Sequence, residues 1–281
     1  MITDKDTNIV YFSELLKTND EFVSTCNRII AILDKYQIQY DFLKGTKDIW
    51  ARDYMPIQKG VDDFVQFKYE PSYLNDLLHT QSDPKVVCTA NSIKPNFSTI
   101  NLDGGNVVKW DNKVMITDRI YSENPEYTDN SKLVDSIESL LETKIIIIPQ
   151  IKSDFTGHAD GLVRFINDNT VLGNDLNFEF DYWTRGMKKV LEKYGLEYSN
   201  MPMFDYKDKN YPDSAIGCYM NYLEIGNLII FPIFDVPDNK DKQAVDLVKS
   251  VYPNKQIETI NINDIARHGG LMNCITWNIK T

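Results

Sequence analysis

The sequence predicts an α/β fold assembled from five copies of one ββαβ-like unit arranged as a closed ring. Turn-plus-strand signals begin at Asn8, Gly60, Asn112, Asn169 and Asn227, in steps of 52, 52, 57 and 58 residues. Asn and Gly tolerate the positive φ of a hairpin turn, and β-branched residues follow each of them. A helix-period apolar stripe follows most of these strands, and every unit also carries one polar, glycine-rich or aromatic segment. The strand candidate Asn8–Phe12 has no partner upstream of it, and the segment around Cys274 has none downstream. Repeats that leave a face uncovered need such ends to meet, so these two are expected to pair.

In the first unit, Phe22, Cys26, Ile29, Ile30 and Leu33 put one apolar stripe on a helix, and Gln39–Leu43 reads as the next strand. The polar segment Trp50–Ile57 follows. The second unit offers a short helix at Ser72–Leu78, a strand at Lys85–Ala90 and the segment Leu102–Val108. In the third, Leu133, Ile137, Leu140 and Leu141 form the stripe, the Ile run closed by Pro149 forms the strand, and Gly157–Phe165 is the polar segment. The fourth has Trp183, Met187, Val190, Leu191 and Tyr194, then Leu196–Phe204, then Cys218–Glu224. The fifth has Ala244, Leu247, Val248 and Val251, then Gln256–Ile262, then the stretch through Gly269, Gly270 and Cys274. No linker or low-complexity run interrupts the series, so residues 1–281 read as one domain.

Composition narrows the function classes. The 281 residues are 42% hydrophobic and 25% charged, enough for a large core. No apolar run approaches the roughly 18 residues of a membrane span. Met1–Asp6 is polar and acidic, unlike a signal peptide. A net charge of −11 argues against nucleic acid and anionic membranes and suits a cationic ligand. Four scattered cysteines without a CxxC spacing point to a reduced, cytoplasmic setting. Cys26 and Cys88 read as core residues and Cys218 as packing.

If the five polar segments are equivalent, Arg52, Asp53, Asp103, His158, Asp160, Asn221 and Cys274 converge at the centre of the ring. A thiolate is a strong nucleophile once its pKa is lowered or a base adjoins it. His158 can move protons near neutral pH. Three carboxylates beside a thiol oppose its ionisation, unless the ligand is itself a cation. A guanidinium presents planar N–H pairs that carboxylates clamp, and its central carbon stays open to attack. His158 and Asp160, two apart, would share one strand face like metal ligands, but no third and fourth ligand accompany them, so no metal is expected. His268 reads as a loop or lid residue.

The motif Trp50-x-Arg52-Asp53-x-x-Pro56, the run Asp103-Gly104-Gly105, the run Gly157-His158-x-Asp160 and the stretch Gly269-Gly270 to Cys274-Ile275-Thr276 together resemble the agmatine deiminase and bacterial peptidylarginine deiminase group. The resemblance runs over essentially the whole chain. It implies the pentein fold, a five-bladed α/β propeller around a central active site. It implies Cys274 as nucleophile, His158 as general acid/base, Asp53 and Asp160 as guanidinium clamps, and Asp103 as the support of His158. Asn221, Trp50 and Arg52 would lie on the substrate side. The reaction implied is hydrolysis of a small cationic guanidine, agmatine first, to a ureido product and ammonia, with no cofactor and with homo-oligomers possible. Peptidyl-arginine or another guanidine as substrate, amidinotransfer, and a non-catalytic pentein binding module are the alternatives. The chain departs from the group's pattern in four places. Leu271 stands where a third Gly is common, Asn273 where His is common, and Asp103 where Glu is common. The group's aromatic-rich stretch is not recognisable in Phe64–Tyr73.

Overall fold

The computed structural model describes residues 1–281. Its strands form five separate three-stranded sheets. The first contains β1 (Ile9–Ser13) and β2 (Gln39–Leu43). The second is β3 (Ile57–Gly60), β4 (Asp63–Lys68) and β5 (Asn96–Asn101). The third is β6 (Val108–Trp110), β7 (Lys113–Thr117) and β8 (Lys144–Ile148). The fourth is β9 (Val163–Phe165), β10 (Thr170–Asn174) and β11 (Glu197–Met201). The fifth is β12 (Leu223–Ile225), β13 (Leu228–Ile233) and β14 (Gln256–Asn261). The strand β15 (Trp277–Ile279) completes the first sheet, in the order β15-β1-β2. Ile9 lies opposite Ile279 and Tyr11 opposite Trp277 in antiparallel register, so the two ends pair as the repeat period requires.

In four sheets a hairpin pairs the short inner strand antiparallel to the middle one, and in the first β15 takes that place beside β1. In every sheet a helical crossover returns the chain parallel to the middle strand. The crossover helices behave as their stripes demand. Val23–Lys35 buries Cys26, Ile29 and Leu33, while Asp181–Tyr194 buries Trp183, Met187 and Leu191. Each such aliphatic or aromatic side chain contributes about 1.5–3 kcal/mol when fully buried. Cys26 and Cys88 lie in the core, and all four cysteines are unpaired. No helix is long and apolar enough to cross a membrane.

The second unit departs from expectation. Lys85–Ala90, read as a strand, lies in its crossover helix Pro84–Ala90, and the parallel strand is Asn96–Asn101. The cause is local. Asp83 caps the helix by accepting from the backbone N–H groups of Lys85 and Val86, and Pro84 occupies the first turn, where its missing N–H costs nothing. The stretch Ser72–Leu78 contains only a 3-10 turn, Ser72–Leu74.

The inner strands share one further property. Gln58, Lys109, Arg164, Glu224 and Asn278 occupy the same register in the five antiparallel pairs, opposite Phe64, Val114, Leu172, Ile229 and Val10. All five side chains are buried. The inner positions are therefore polar where the middle strands are apolar.

Candidate active site

The sequence-predicted residues do converge, but from the turns that precede the inner strands rather than from strands. Asp53 sits on the helical turn Ala51–Tyr54 before β3. Asp103 opens the 3-10 turn Gly104–Asn106 before β6. His158 and Asp160 lie in the loop before β9, Asn221 just before β12, and Cys274 in the turn before β15. A turn frees the backbone to bend, so adjacent residues such as Arg52 and Asp53 can face opposite ways.

His158 is the hub. Its Nε2 lies 2.8 Å from Asp103 Oδ2, and its Nδ1 lies 3.6 Å from Asp53 Oδ1. Asp53 Oδ1 also accepts the backbone N–H of Gly105 at 3.1 Å. Gly105 must lack a side chain, since a Cβ there would overlap both the His158 ring and the Asp53 carboxylate. Gly270 has the same role against the Trp50 indole, which lies on its backbone. Both glycines thus allow close approach.

On the other side, the Asn221 Oδ1 accepts the backbone N–H groups of Asn273 at 3.0 Å and of Cys274 at 3.2 Å. The Cys274 turn is pinned by a side chain from the preceding unit. Asn273 Nδ2 donates to Asp160 Oδ2 at 2.7 Å. Arg52 does not face outward as a substrate ligand. Its guanidinium is engaged by Asn273 Oδ1 at 3.0 Å and Asn278 Oδ1 at 2.5 Å, and its backbone N–H donates to the Cys274 carbonyl at 3.0 Å. Arg52 therefore orients Asn273, which in turn orients Asp160.

Electrostatics follow from this packing. Burial alone would pull the His158 imidazolium down, but Asp53 and Asp103 outweigh it and hold its pKa at about 10. Burial, helped by the nearby Asp103, Asp160 and Asp48 carboxylates and opposed by His158, pushes Asp53 up to about 8. Asp160 is raised by burial against the pull of His158 and the Asn273 hydrogen bond. Burial and the Asp160 and Asp53 charges push the Cys274 thiol well above its ordinary range. The site has more negative groups than it can ionise without a cation. No group of three or more His, Cys, Asp or Glu side chains is arranged to hold a metal.

Adjoining it is a second charged cluster that sequence reading missed. Asp4 lies 3.3 Å from both Lys109 Nζ and Arg164 Nη1, and Glu224 lies 2.6 Å from Lys255 Nζ and 3.8 Å from Arg164. Asp4 is held below the carboxylate range because Lys109, Arg52 and Arg164 outweigh its burial. A cavity of about 20 Å³, room for roughly one water, separates this cluster from Asp160 and Asn273. Tyr73 was also missed. Its hydroxyl donates to Asp103 Oδ2 at 2.8 Å, in the stretch that showed no recognisable motif. His268 pairs with Glu21 at 2.8 Å, and Cys218 faces the Gly161 carbonyl at 3.2 Å.

Residues 12–279 match the model of the Porphyromonas-type peptidyl-arginine deiminases. A protein of Listeria monocytogenes assigned as agmatine deiminase 2 is 39% identical over 67 residues, which are 24% of this chain and 18% of that protein. The chain thus spans under a fifth of the length of that curated relative. A Photobacterium profundum protein assigned as an agmatine deiminase is 23% identical over 84% of this chain and 76% of its own length. The agmatine deiminase of C. jejuni superposes with a TM-score of 0.77 at 16% identity, covering 99% of this chain and 94% of that one. The fold is the pentein fold of that structure.

Proposed function

We propose a function from one premise: the chain belongs to the Porphyromonas-type peptidyl-arginine deiminase family. The reading is cysteine-dependent hydrolysis of a guanidinium to a ureido group with loss of ammonia. The observation that carries it is the convergence in one site of a half-buried thiol, a buried imidazole and three buried carboxylates, with the carboxylates in excess. Such a site is strained when empty and relieved by a bound cation.

Asp53 and Asp160 orient the guanidinium, which is a proximity effect. The arriving positive charge offsets the two carboxylates that hold the Cys274 proton on, so the thiol ionises when substrate is bound and its proton leaves to solvent. Cys274 Sγ then attacks the central carbon. The charged His158 donates its proton to the departing nitrogen, the C–N bond breaks and ammonia leaves. The now neutral His158 takes a proton from water, the resulting hydroxide adds to the carbon, and the C–S bond breaks as the new hydroxyl gives its proton to solvent and becomes the ureido C=O. The ureido product leaves with the thiolate restored. No cofactor enters this scheme.

Agmatine is the substrate that the surroundings favour, giving N-carbamoylputrescine. A free-arginine specialist needs a cation for the α-carboxylate. The arginines in contact with the site are already engaged, Arg52 with Asn273 and Asn278, and Arg119 with Glu123 at 3.0 Å. Four unpaired cysteines suit a reduced cytoplasmic setting. The test is a ureido-product assay on agmatine, arginine, a C-terminal arginyl peptide and guanidinobutyrate, with wild type and Cys274→Ser. Absence of ureido product from every guanidine sinks the deiminase reading. If agmatine is turned over about tenfold less efficiently than another of the four, only the substrate assignment fails.

A further inference from the structure

Tyr73 shares the site with the catalytic imidazole without belonging to any of the four motifs. Its hydroxyl and His158 Nε2 meet on one and the same oxygen, Asp103 Oδ2, each at 2.8 Å. The Tyr73 ring stands edge-on to the His158 ring, with centroids 6.0 Å apart, and edge-on to Phe155 at 5.6 Å. It is held from outside by a short chain of contacts. Ser72 donates through its backbone N–H and its hydroxyl to Glu123, at 3.0 and 2.6 Å. Arg119 pairs with Glu123, donates to Ser72 Oγ at 3.1 Å and lies 5.5 Å over the Tyr73 ring.

We propose that Tyr73 is a positioning residue that divides the Asp103 carboxylate between two donors and so limits how tightly Asp103 holds the proton on His158. A carboxylate oxygen that accepts a second charge-assisted O–H bond has less charge to offer the first partner. His158 must give up its proton when ammonia leaves, and an imidazolium gripped too firmly is a poor acid. The groups facing His158 are Asp103 at Nε2, Asp53 at Nδ1, Asp160 and Tyr73. Those facing Tyr73 are Asp103, Tyr69, Asp53 and Arg119. Burial and the Asp103 charge keep the phenol well above its ordinary range, so it stays a neutral donor.

The kinetic part of this inference rests on the deiminase reading; the titration part does not. The experiment follows the His158 imidazole by NMR in wild type and Tyr73→Phe, which keeps the ring and removes the hydroxyl. The chain has only three histidines, and His158→Asn identifies the signal. The expected result is a His158 midpoint about 0.5 pH unit or more higher in Tyr73→Phe. The same substitution made in Asp103→Asn should leave the midpoint where it was. A midpoint that is unchanged or lower in Tyr73→Phe overturns the proposal. With turnover, kcat is expected to fall about tenfold while KM stays within about twofold. A kcat loss that persists in full in the Asp103→Asn background also overturns it. If wild type yields no ureido product, the deiminase reading fails and the titration still decides the role of Tyr73.

Discussion

Two charge clusters adjoin, and they are built on opposite rules. Around Cys274, three carboxylates face one imidazole, and Asp53, Asp160 and the thiol are all pushed toward their protonated forms. Around Asp4, the cations Lys109, Arg164 and Lys255 meet the carboxylates of Asp4 and Glu224 in close pairs, and Asp4 is stabilised in its charged form. The first cluster holds carboxylates in excess of its cations, and the second pairs each carboxylate with a cation of the chain. In the proposed reading, unmatched charges suit a site for a cationic ligand and matched ones a structural brace.

Substitutions should separate the two. The largest effect is expected at the nucleophile: Cys274→Ser should lose about 10³-fold or more in kcat with a thermal midpoint close to wild type. Next, Asp53→Asn and Asp160→Asn should each cost on the order of 10² in kcat/KM, about 3 kcal/mol, through loss of a charged contact to the guanidinium. Near-wild-type kinetics in either would remove that residue from the clamp.

Stability should respond with the opposite pattern. Asp4→Asn leaves Lys109 without its carboxylate and Arg164 with Glu224 alone, and should destabilise by about 2–3 kcal/mol in denaturant titration, while kcat/KM of the folded enzyme stays within severalfold. The signs with pH also differ. Asp53 has a folded pKa above its unfolded value, so the stability it allows is full below about pH 4 and is lost as pH rises through about 8. Asp53→Asn should therefore gain on wild type over that window. Asp4 has a depressed folded pKa, so its contribution is present above about pH 4 and lost as pH falls through the depressed value. The gap between wild type and Asp4→Asn should close in acid. An Asp4→Asn gap that instead widens in acid would show the pairs to be of no consequence. The smallest effect is on encounter: with a net charge of −11, kcat/KM for agmatine should fall a fewfold between about 50 and 500 mM salt.

The repeat was legible because each hairpin begins with Asn or Gly and each crossover helix keeps an apolar stripe. The second unit was misread because Lys85–Ala90 is β-branched and short, and the stronger local signal, Asp83 before Pro84, was not weighed as a helix start. Cys274, His158, Asp53, Asp103, Asp160 and Asn221 stood out because each motif pairs a reactive residue with glycine or a second charge. Arg52 was read as a substrate ligand because sequence does not say which way a residue on a helical turn faces. Asp4 lies in a polar leader that looks solvated, and Lys109 alternates with apolar neighbours as any exposed strand residue would. Their burial exists only once the five units are assembled. Tyr73 carries no motif at all, and only the fold brings it onto Asp103.

The pairing of β1 with β15 also has a consequence for biosynthesis. A ribosome delivers Ile9 long before Ile279, yet the two must sit opposite each other in one sheet. The edge of β1 stays open while the four intervening units are made, and contacts so distant in sequence form slowly. The turn that holds Cys274 bonds to Arg52 and Asn221 and leads directly into this late strand. The turn around Cys274 therefore belongs to the same late-made segment that closes the first sheet.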